Sequence, residues 1–243
     1  MTAFDDPAHF GRLWAADYDE GANPDPDPAA AFLAALAGDG RALELAIGTG
    51  RVALPLATRG VTVEGIEGSP LMVERLRAKP GGEAIPVVIG DLADVSATGP
   101  FRLVSLVFNT LFNLVDPDRQ AACFRNVAAV LDPGGAFVIE AYVPDPDRFA
   151  GGHALDVLAV TEDSATIEVH AHDPATQRIL SQKITFGPGG TRLRPHAERY
   201  CWPAELDELA ERAGLGLAER YAGWDRAPFG PASTGHVSVY RPA

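Results

Sequence analysis

The stretch Ala42-Leu43-Glu44-Leu45-Ala46-Ile47-Gly48-Thr49-Gly50-Arg51 constrains this chain more than any other. A short apolar run closed by Gly-x-Gly and followed by Val52, Leu54 and Leu56 reads as a buried parallel strand turning sharply into a helix. Glycines lack a Cβ, so they permit positive φ and let a ligand lie against the backbone. The free N–H groups of the next helix favour a negative ligand group. The turn is therefore read as a cofactor loop. Gly48-Thr49-Gly50-Arg51-Val52-Ala53 also satisfies the dinucleotide pattern G-x-G-x-x-G/A. Glu44 separates the two readings, because a carboxylate in a buried strand needs a partner. A pyrophosphate would repel it, whereas an ammonium or sulfonium would satisfy it.

The remaining composition narrows the class. A length of 243 residues suits one large α/β domain, or a domain with an insertion. At 47% hydrophobic residues the chain has no disorder signature, and no apolar run reaches the ~18 residues of a membrane helix. The acidic opening, Met1 to Asp6, lacks the apolar stretch of a signal peptide, so a cytoplasmic location is expected. Cys123 and Cys201 fit reduced core thiols better than a disulfide framework or a zinc site. A formal charge of −13 would repel a phosphate backbone, which excludes nucleic acid as the expected partner. His170 and His172 share one face of a strand, but no carboxylate or thiol at ligand-like spacing joins them, so no metal is expected.

With Ala46 in place of the first glycine, the stretch from Glu44 to Gly50 resembles the first motif of the class I S-adenosylmethionine (SAM) methyltransferases, acidic-x-Gly-x-Gly-x-Gly. The alanine still allows close approach and should tighten the wall beside the methionine part of SAM. The second strand, Val61 to Ile66, ends at Glu67, whose carboxylate suits ribose hydroxyls in SAM and NAD sites alike. Ser69 then caps a helix with Pro70 in its first turn. Glu67-Gly68-Ser69-Pro70-Leu71-Met72 resembles the Asp-x-Ser-Pro-x-Met stretch of the same family, which implies that Met72 packs on adenine. The third strand, Ile85 to Ile89, runs into Gly90-Asp91-Leu92. Here the resemblance implies that Asp91 accepts from the adenine amino group and that the Leu92 N–H donates to the ring. The Tyr18-Asp19 pair resembles an N-terminal element in which the tyrosine lies over the methionine end. Gly50, Arg51, Gly68 and Asn109 complete the implied cofactor set.

The fourth strand, Leu103 to Phe108, opens into Asn109-Thr110-Leu111-Phe112-Asn113, where a methyltransferase meets its acceptor. Asn109, Thr110 and Asn113 can hold SAM, orient an acceptor, or simply form a turn, and Phe112 can wall the pocket. A helix from Asp116, a Leu-x-Pro-Gly-Gly stop and the strand Ala136 to Tyr142 follow, with Glu140 and Tyr142 emerging near the acceptor. An early Pro55 should kink the first helix after the loop. Beyond Pro144, residues 155–160, 165–173, 177–186 and 191–200 read as consecutive strands of an antiparallel sheet. A helix from Pro203 and two strands, 217–223 and 236–240, close the chain. Trp14, Trp224 and Phe229 are read either as aromatics at the substrate mouth or as core packing.

The expected fold is thus α/β: a doubly wound, Rossmann-like seven-stranded methyltransferase sheet with an inserted antiparallel β-sheet. The division is an N-terminal helical cap (1–40), a SAM-binding core (41–148), the insertion (149–202) and closing elements (203–243). The insertion either covers the acceptor pocket or forms a homodimer interface. The expected activity is in-line transfer of the SAM methyl to an N, O or C nucleophile of a small molecule, with attacking atom and sulfonium aligned within ~3–3.5 Å. Tyr18, Glu140 and His153 are the candidate bases. Two other readings stand beside it. One is a SAM-fold protein that binds a metabolite or assists cyclisation without methyl transfer. The other is an NAD-dependent oxidoreductase using Gly48, Gly50 and Glu67, which leaves Glu44 and Asp91 unexplained.

Overall fold

The central strands of the first half carry apolar residues on both faces, as Ala42 and Leu43 or Leu103 and Val104 do, so they must be covered by helices on both sides. A computed structural model describes residues 3–21 and 23–243; Met1 and Thr2, which open the stretch read as lacking a signal peptide, and Ala22 lie outside the described residues. Two helices, His9–Trp14 (α1) and Asp27–Ala37 (α2), precede the first strand, Arg41–Leu45 (β1). Ala53–Thr58 (α3), Thr62–Glu67 (β2), Pro70–Arg77 (α4), Val87–Ile89 (β3) and Phe101–Leu106 (β4) follow. Pro117–Val130 (α5) and Leu131–Tyr142 (β5) complete the alternating part. Four strands come next: His153–Val160 (β6), Ala165–Asp173 (β7), Arg178–Gly187 (β8) and Gly190–Arg199 (β9). Pro203–Arg212 (α6), Leu215–Tyr221 (β10) and Gly235–Pro242 (β11) end the chain.

The main sheet has seven strands in the order β10-β11-β5-β4-β1-β2-β3. Strands β1 to β5 are parallel, and β11 runs antiparallel to both β5 and β10. Leu43 and Leu45 of β1 pack with Phe101, Phe124 and Leu206 on one side of the sheet. Ala42 packs with Leu33, Leu56 and Leu76 on the other. These are the two cores of a helix–sheet–helix sandwich. The chain runs outward from β1 to β3 and then crosses back to β4 on the other side of β1. That reversal opens a crevice at the carboxyl ends of β1 and β4, the usual ligand site of open α/β sheets.

Three local details depart from expectation, each for a physical reason. Strand β3 begins at Val87 rather than Ile85, because Pro86 has no N–H to give the ladder. The Pro-Gly-Gly stop lies within β5: Leu131 already pairs with Phe101, and the register shifts before Ala136 pairs with Leu103. Pro55 falls in the first turn of α3, where N–H groups lack helical partners anyway, so the expected kink is not required.

The second sheet, β6-β7-β8-β9, is antiparallel throughout, with hairpin pairing along the series. It is tied to the core by Gln120 of α5, whose Nε2 donates to the Arg199 carbonyl at 2.8 Å while its Oε1 accepts from the Arg199 guanidinium at 2.6 Å. Its polar face carries Lys183 and Arg194 over the Trp14 ring, each 4.9 Å from the centroid. The N-terminal helix is thereby held between sheet and core. Phe124 is fully buried, edge-on to Phe137 at 5.3 Å and to Tyr240 at 6.0 Å. Its replacement in Phe124→Ala should cost about 3–5 kcal/mol, read as a lower denaturant midpoint with an unchanged slope.

Candidate functional site

The turn after β1 needs unusual backbone: Ala46, Gly48 and Gly50 have φ of 52°, 58° and 78°. Ala46 and Gly48 line a cavity over the carboxyl ends of β1, β2 and β4. Gly50 faces away from it, since a Cβ there would lie 2.3 Å from Leu76 Cδ1; its role is close packing of α4. Arg51 also stands outside the cavity. Its guanidinium donates to the Pro24 carbonyl at 3.1 Å and stacks 4.8 Å over the Phe108 ring, tying the cap to the strand end.

Glu44 lies directly beneath this turn, 3% exposed, and its Oε2 has no hydrogen-bond partner. Burial pushes its pKa up to about 8, and the Arg51 charge offsets this only in part. Glu67, at the end of β2, accepts from the Gly48 N–H at 2.8 Å and the Ser69 N–H at 2.9 Å. Burial raises its pKa too, while these backbone donors pull the other way. The Ser69 hydroxyl makes no cap hydrogen bond, contrary to its reading as a side-chain cap: α1 presses on it, and a Cβ on Gly11 would lie 2.1 Å from its Oγ. Gly68 and Met72 line the cavity beside Glu67.

Asp91 and Leu92 line the same cavity. The Asp91 carboxylate is fixed at both oxygens, by the Ala93 N–H at 2.8 Å and by Arg119 at 2.7 Å. Asn109, Thr110 and Asn113 line it as well. Asn109 has φ of 62°, and its Oδ1 accepts from the Tyr142 N–H at 2.7 Å, so its amide serves the strand end. Thr110 Oγ1 likewise donates to the Val107 carbonyl at 2.8 Å.

Tyr18 reaches the cavity from the cap, and burial raises its pKa, keeping the phenol neutral. Its neighbour Asp19 accepts from Thr49 Oγ1 at 2.7 Å and from Lys79 Nζ at 2.9 Å, latching the cap onto the glycine turn. Trp14 lines an adjacent hollow with Tyr18 and Phe108, stacked 5.3 Å from Phe10.

Other sequence-selected residues lie away from the cavity. Phe112 is fully buried behind the wall, 5.0 Å and edge-on to the Tyr142 ring. Tyr142 sits behind the lining and donates to Glu198 at 2.8 Å. Both Glu140 oxygens are occupied, by the Phe108 N–H at 2.8 Å and the Trp224 Nε1–H at 2.7 Å. Trp224 packs on Phe32 in the far helix layer, and Phe229 lies against Arg220 and His236. His153 is the exposed first residue of β6, opposite Ala171.

Conversely, the cavity contains residues that sequence reasoning passed over. Phe4, Asp6, Pro7, His9 and Phe10 come from the N-terminal segment, and His196, Ala197 and Glu198 from β9. The one available signal was alternation in β9, where Arg194, His196 and Glu198 share the face turned to the cap.

The chain matches the methyltransferase domain family over residues 42–135. It is 32% identical to the cypemycin N-terminal methyltransferase of a Streptomyces species, over 76% of this chain and 78% of that protein. The chain belongs to the class I SAM-dependent methyltransferases. Among solved structures, this methyltransferase superimposes on the CcbJ methyltransferase of Streptomyces caelestis with a TM-score of 0.92 at 40% identity, covering 98% of this chain and 99% of that one. SAM-bound CalS10, an amino pentose methyltransferase of Micromonospora echinaspora, shares the fold at 24% identity and a TM-score of 0.69, covering 93% and 95%. SAM is the methyl donor, which sets aside the dinucleotide and non-methylating readings. The geometry suits it: an unpartnered buried carboxylate oxygen beneath a positive-φ turn fits a cationic ligand lying close to the backbone.

Two outcomes follow for this methyltransferase. The folded chain holds a proton on Glu44 that the unfolded chain sheds, so Glu44 opposes folding increasingly as pH rises from about 4.5 toward 8. The positive charge of SAM should drive that proton off, so calorimetry at pH 7 in buffers of different ionisation enthalpy should show proton release, absent in Glu44→Gln. A Cβ on Gly68 would lie 2.4 Å from the Pro7 carbonyl oxygen. Gly68→Ala should therefore displace the cap, seen as faster proteolysis before residue 27 and weaker SAM binding.

Proposed function

We propose that this methyltransferase transfers the SAM methyl to an amine nitrogen of a small-molecule metabolite. SAM supplies an electrophilic methyl on a sulfonium; the chain's residues align the acceptor with it. The observation that carries the reading is that the candidate bases at the end of β5 and the start of β6 do not serve the cavity: Glu140 spends both oxygens on Phe108 and Trp224, and His153 lies outside it. An amine needs only a route for proton loss, whereas a hydroxyl or carbon acceptor gains from a base within hydrogen-bond reach. The names of relatives point the same way, the cypemycin N-terminal methyltransferase and a dTDP-amino-sugar N,N-dimethyltransferase of Saccharopolyspora spinosa, 31% identical over 48% of this chain.

In this reading Glu67 holds the ribose hydroxyls, Met72, Asp91 and Leu92 the adenine, and Glu44 with the Ala46–Gly48 turn the methionine end. Tyr18 closes over that end as a neutral hydrogen-bonding group, and Thr110 and Asn113 face the acceptor. The acidic chain, formally −13, supports a small acceptor rather than a nucleic acid. No helix among the described residues is long and apolar enough to cross a membrane. A cytoplasmic location belongs to the same proposal, supported by two buried free cysteines. So does a homodimer through the outer face of the second sheet, where Val157, Val160 and Leu193 are 63%, 70% and 55% exposed.

Mass spectrometry of products from methyl-labelled SAM with a panel of amines, phenols and alcohols tests the reading. N-methyl products are expected, and exclusive O-methylation would overturn it. Calorimetry should show Glu67→Ala weakening SAM binding by about 1–3 kcal/mol. Sedimentation should give a dimer that the double variant Val157→Glu, Leu193→Glu converts to monomer.

A further inference from the structure

The cavity is lined by four carboxylates, and their surroundings differ in one respect. Asp6 pairs with Arg12 at 2.6 Å, and Asp91 with Arg119 at 2.7 Å. Glu67 is held by the backbone N–H groups of two turns. Glu198 has neither arrangement. Its Oε1 accepts one hydrogen bond, from the Tyr142 hydroxyl at 2.8 Å, and its Oε2 has no hydrogen-bond or ion-pair partner among the described residues. Arg148 acts on it from a distance but is committed elsewhere, to Asp156 at 2.5 Å and to the Phe149 ring at 5.2 Å. A half-buried carboxylate without a countercharge is costly. Burial accordingly pushes its pKa up, and an arriving cation would relieve that cost.

His196 stands two residues earlier on the same face of β9 and lines the same cavity. Burial, aided by His170, His9 and Lys183, lowers its pKa to about 4. It is therefore uncharged at neutral pH and does not repel a cation. Its Nδ1 is buried without a hydrogen-bond partner, 3.8 Å from Glu168 Oε1. Asn113 adds an uncharged amide to the same lining.

We propose that Glu198 is the specificity-determining residue of the acceptor site, binding a protonated amine through its open carboxylate oxygen beside neutral His196, with Tyr142 as the positioning residue that aims it. The inference rests on the amine reading above. It adds that the acceptor arrives as an ammonium, is selected against an uncharged isostere by charge, and is held at the insertion's last strand rather than at the end of β5. The bound ammonium gives one N–H proton to the Glu198 carboxylate, so that its nitrogen regains the lone pair that attacks the methyl as the SAM sulfur leaves.

The test is a nuclear magnetic resonance titration of enzyme saturated with S-adenosylhomocysteine, using cyclohexylamine and cyclohexanol as probes. Cyclohexylamine should bind at least tenfold more tightly than the alcohol. Glu198→Gln should abolish that preference while leaving calorimetric SAM binding unchanged, which shows the variant folded. Tyr142→Phe should reduce the preference without removing it, and Glu162→Gln, in an exposed hairpin turn, should retain it. Equal binding of the two probes, no binding of the amine, or a preference that survives Glu198→Gln would overturn the proposal. N-methyl products from the labelling experiment alongside any of these results would leave the amine reading standing and reject the role of Glu198 alone.

Discussion

The core side of the cavity depends on one carboxylate that joins two turns. Glu67 accepts from the Gly48 N–H after β1 and the Ser69 N–H after β2, so neighbouring strand ends are fixed relative to each other before any ligand arrives. The parallel pairing of Glu44 with Gly65 and Leu45 with Ile66 sets the register that makes this reach possible. Gly65 in turn lets Ile47 lie against β2, since a Cβ there would come within 2.6 Å of Ile47 Cδ1. Backbone donors therefore position the carboxylate, and the carboxylate positions the glycine turn.

The N-terminal segment completes the site by bridging three parts of the molecule. Asp19 grips Thr49 and Lys79 of the core. Asp17 pairs with Arg194 of the second sheet, and His9 Nε2 meets the Pro195 carbonyl at 3.1 Å. The cavity consequently has a core floor, a cap of aromatics and a polar wall from β9. Of these, the Asp19–Lys79 pair is exposed and individually weak, whereas Arg194 is buried against Asp17. Close packing adds to these contacts, Gly11 lying against the Ser69 side chain and Gly68 against the Pro7 backbone.

Sequence reading located cavity residues where the signal is written in consecutive residues. The strand–glycine turn, Glu67 at the end of β2 and Asp91 after β3 are each local signals, and β-α alternation placed them at one edge. It was less informative for the rest of the cavity. Glu140, Trp224 and Phe229 have suitable chemistry and lie near strand ends, yet hydrogen bonding and packing turn them toward one another or toward other layers. His196 and Glu198 sit in a strand whose function depends on how the second sheet leans over the crevice. No local pattern reports that angle.

The sequence by itself determined the alternation of apolar strands and helices, the order of the carboxylates at their ends and the antiparallel character of the insertion. Those follow from periodicity, glycine placement and the cost of an unpaired charge in a buried strand, all of which act between near neighbours in the chain. Only the tertiary structure decided which face of β9 meets the cap, which cavity carboxylates find an arginine and which one does not. The pairing of Asp17 with Arg194 joins residues more than a hundred positions apart and depends on packing between the cap and a sheet it does not adjoin in sequence.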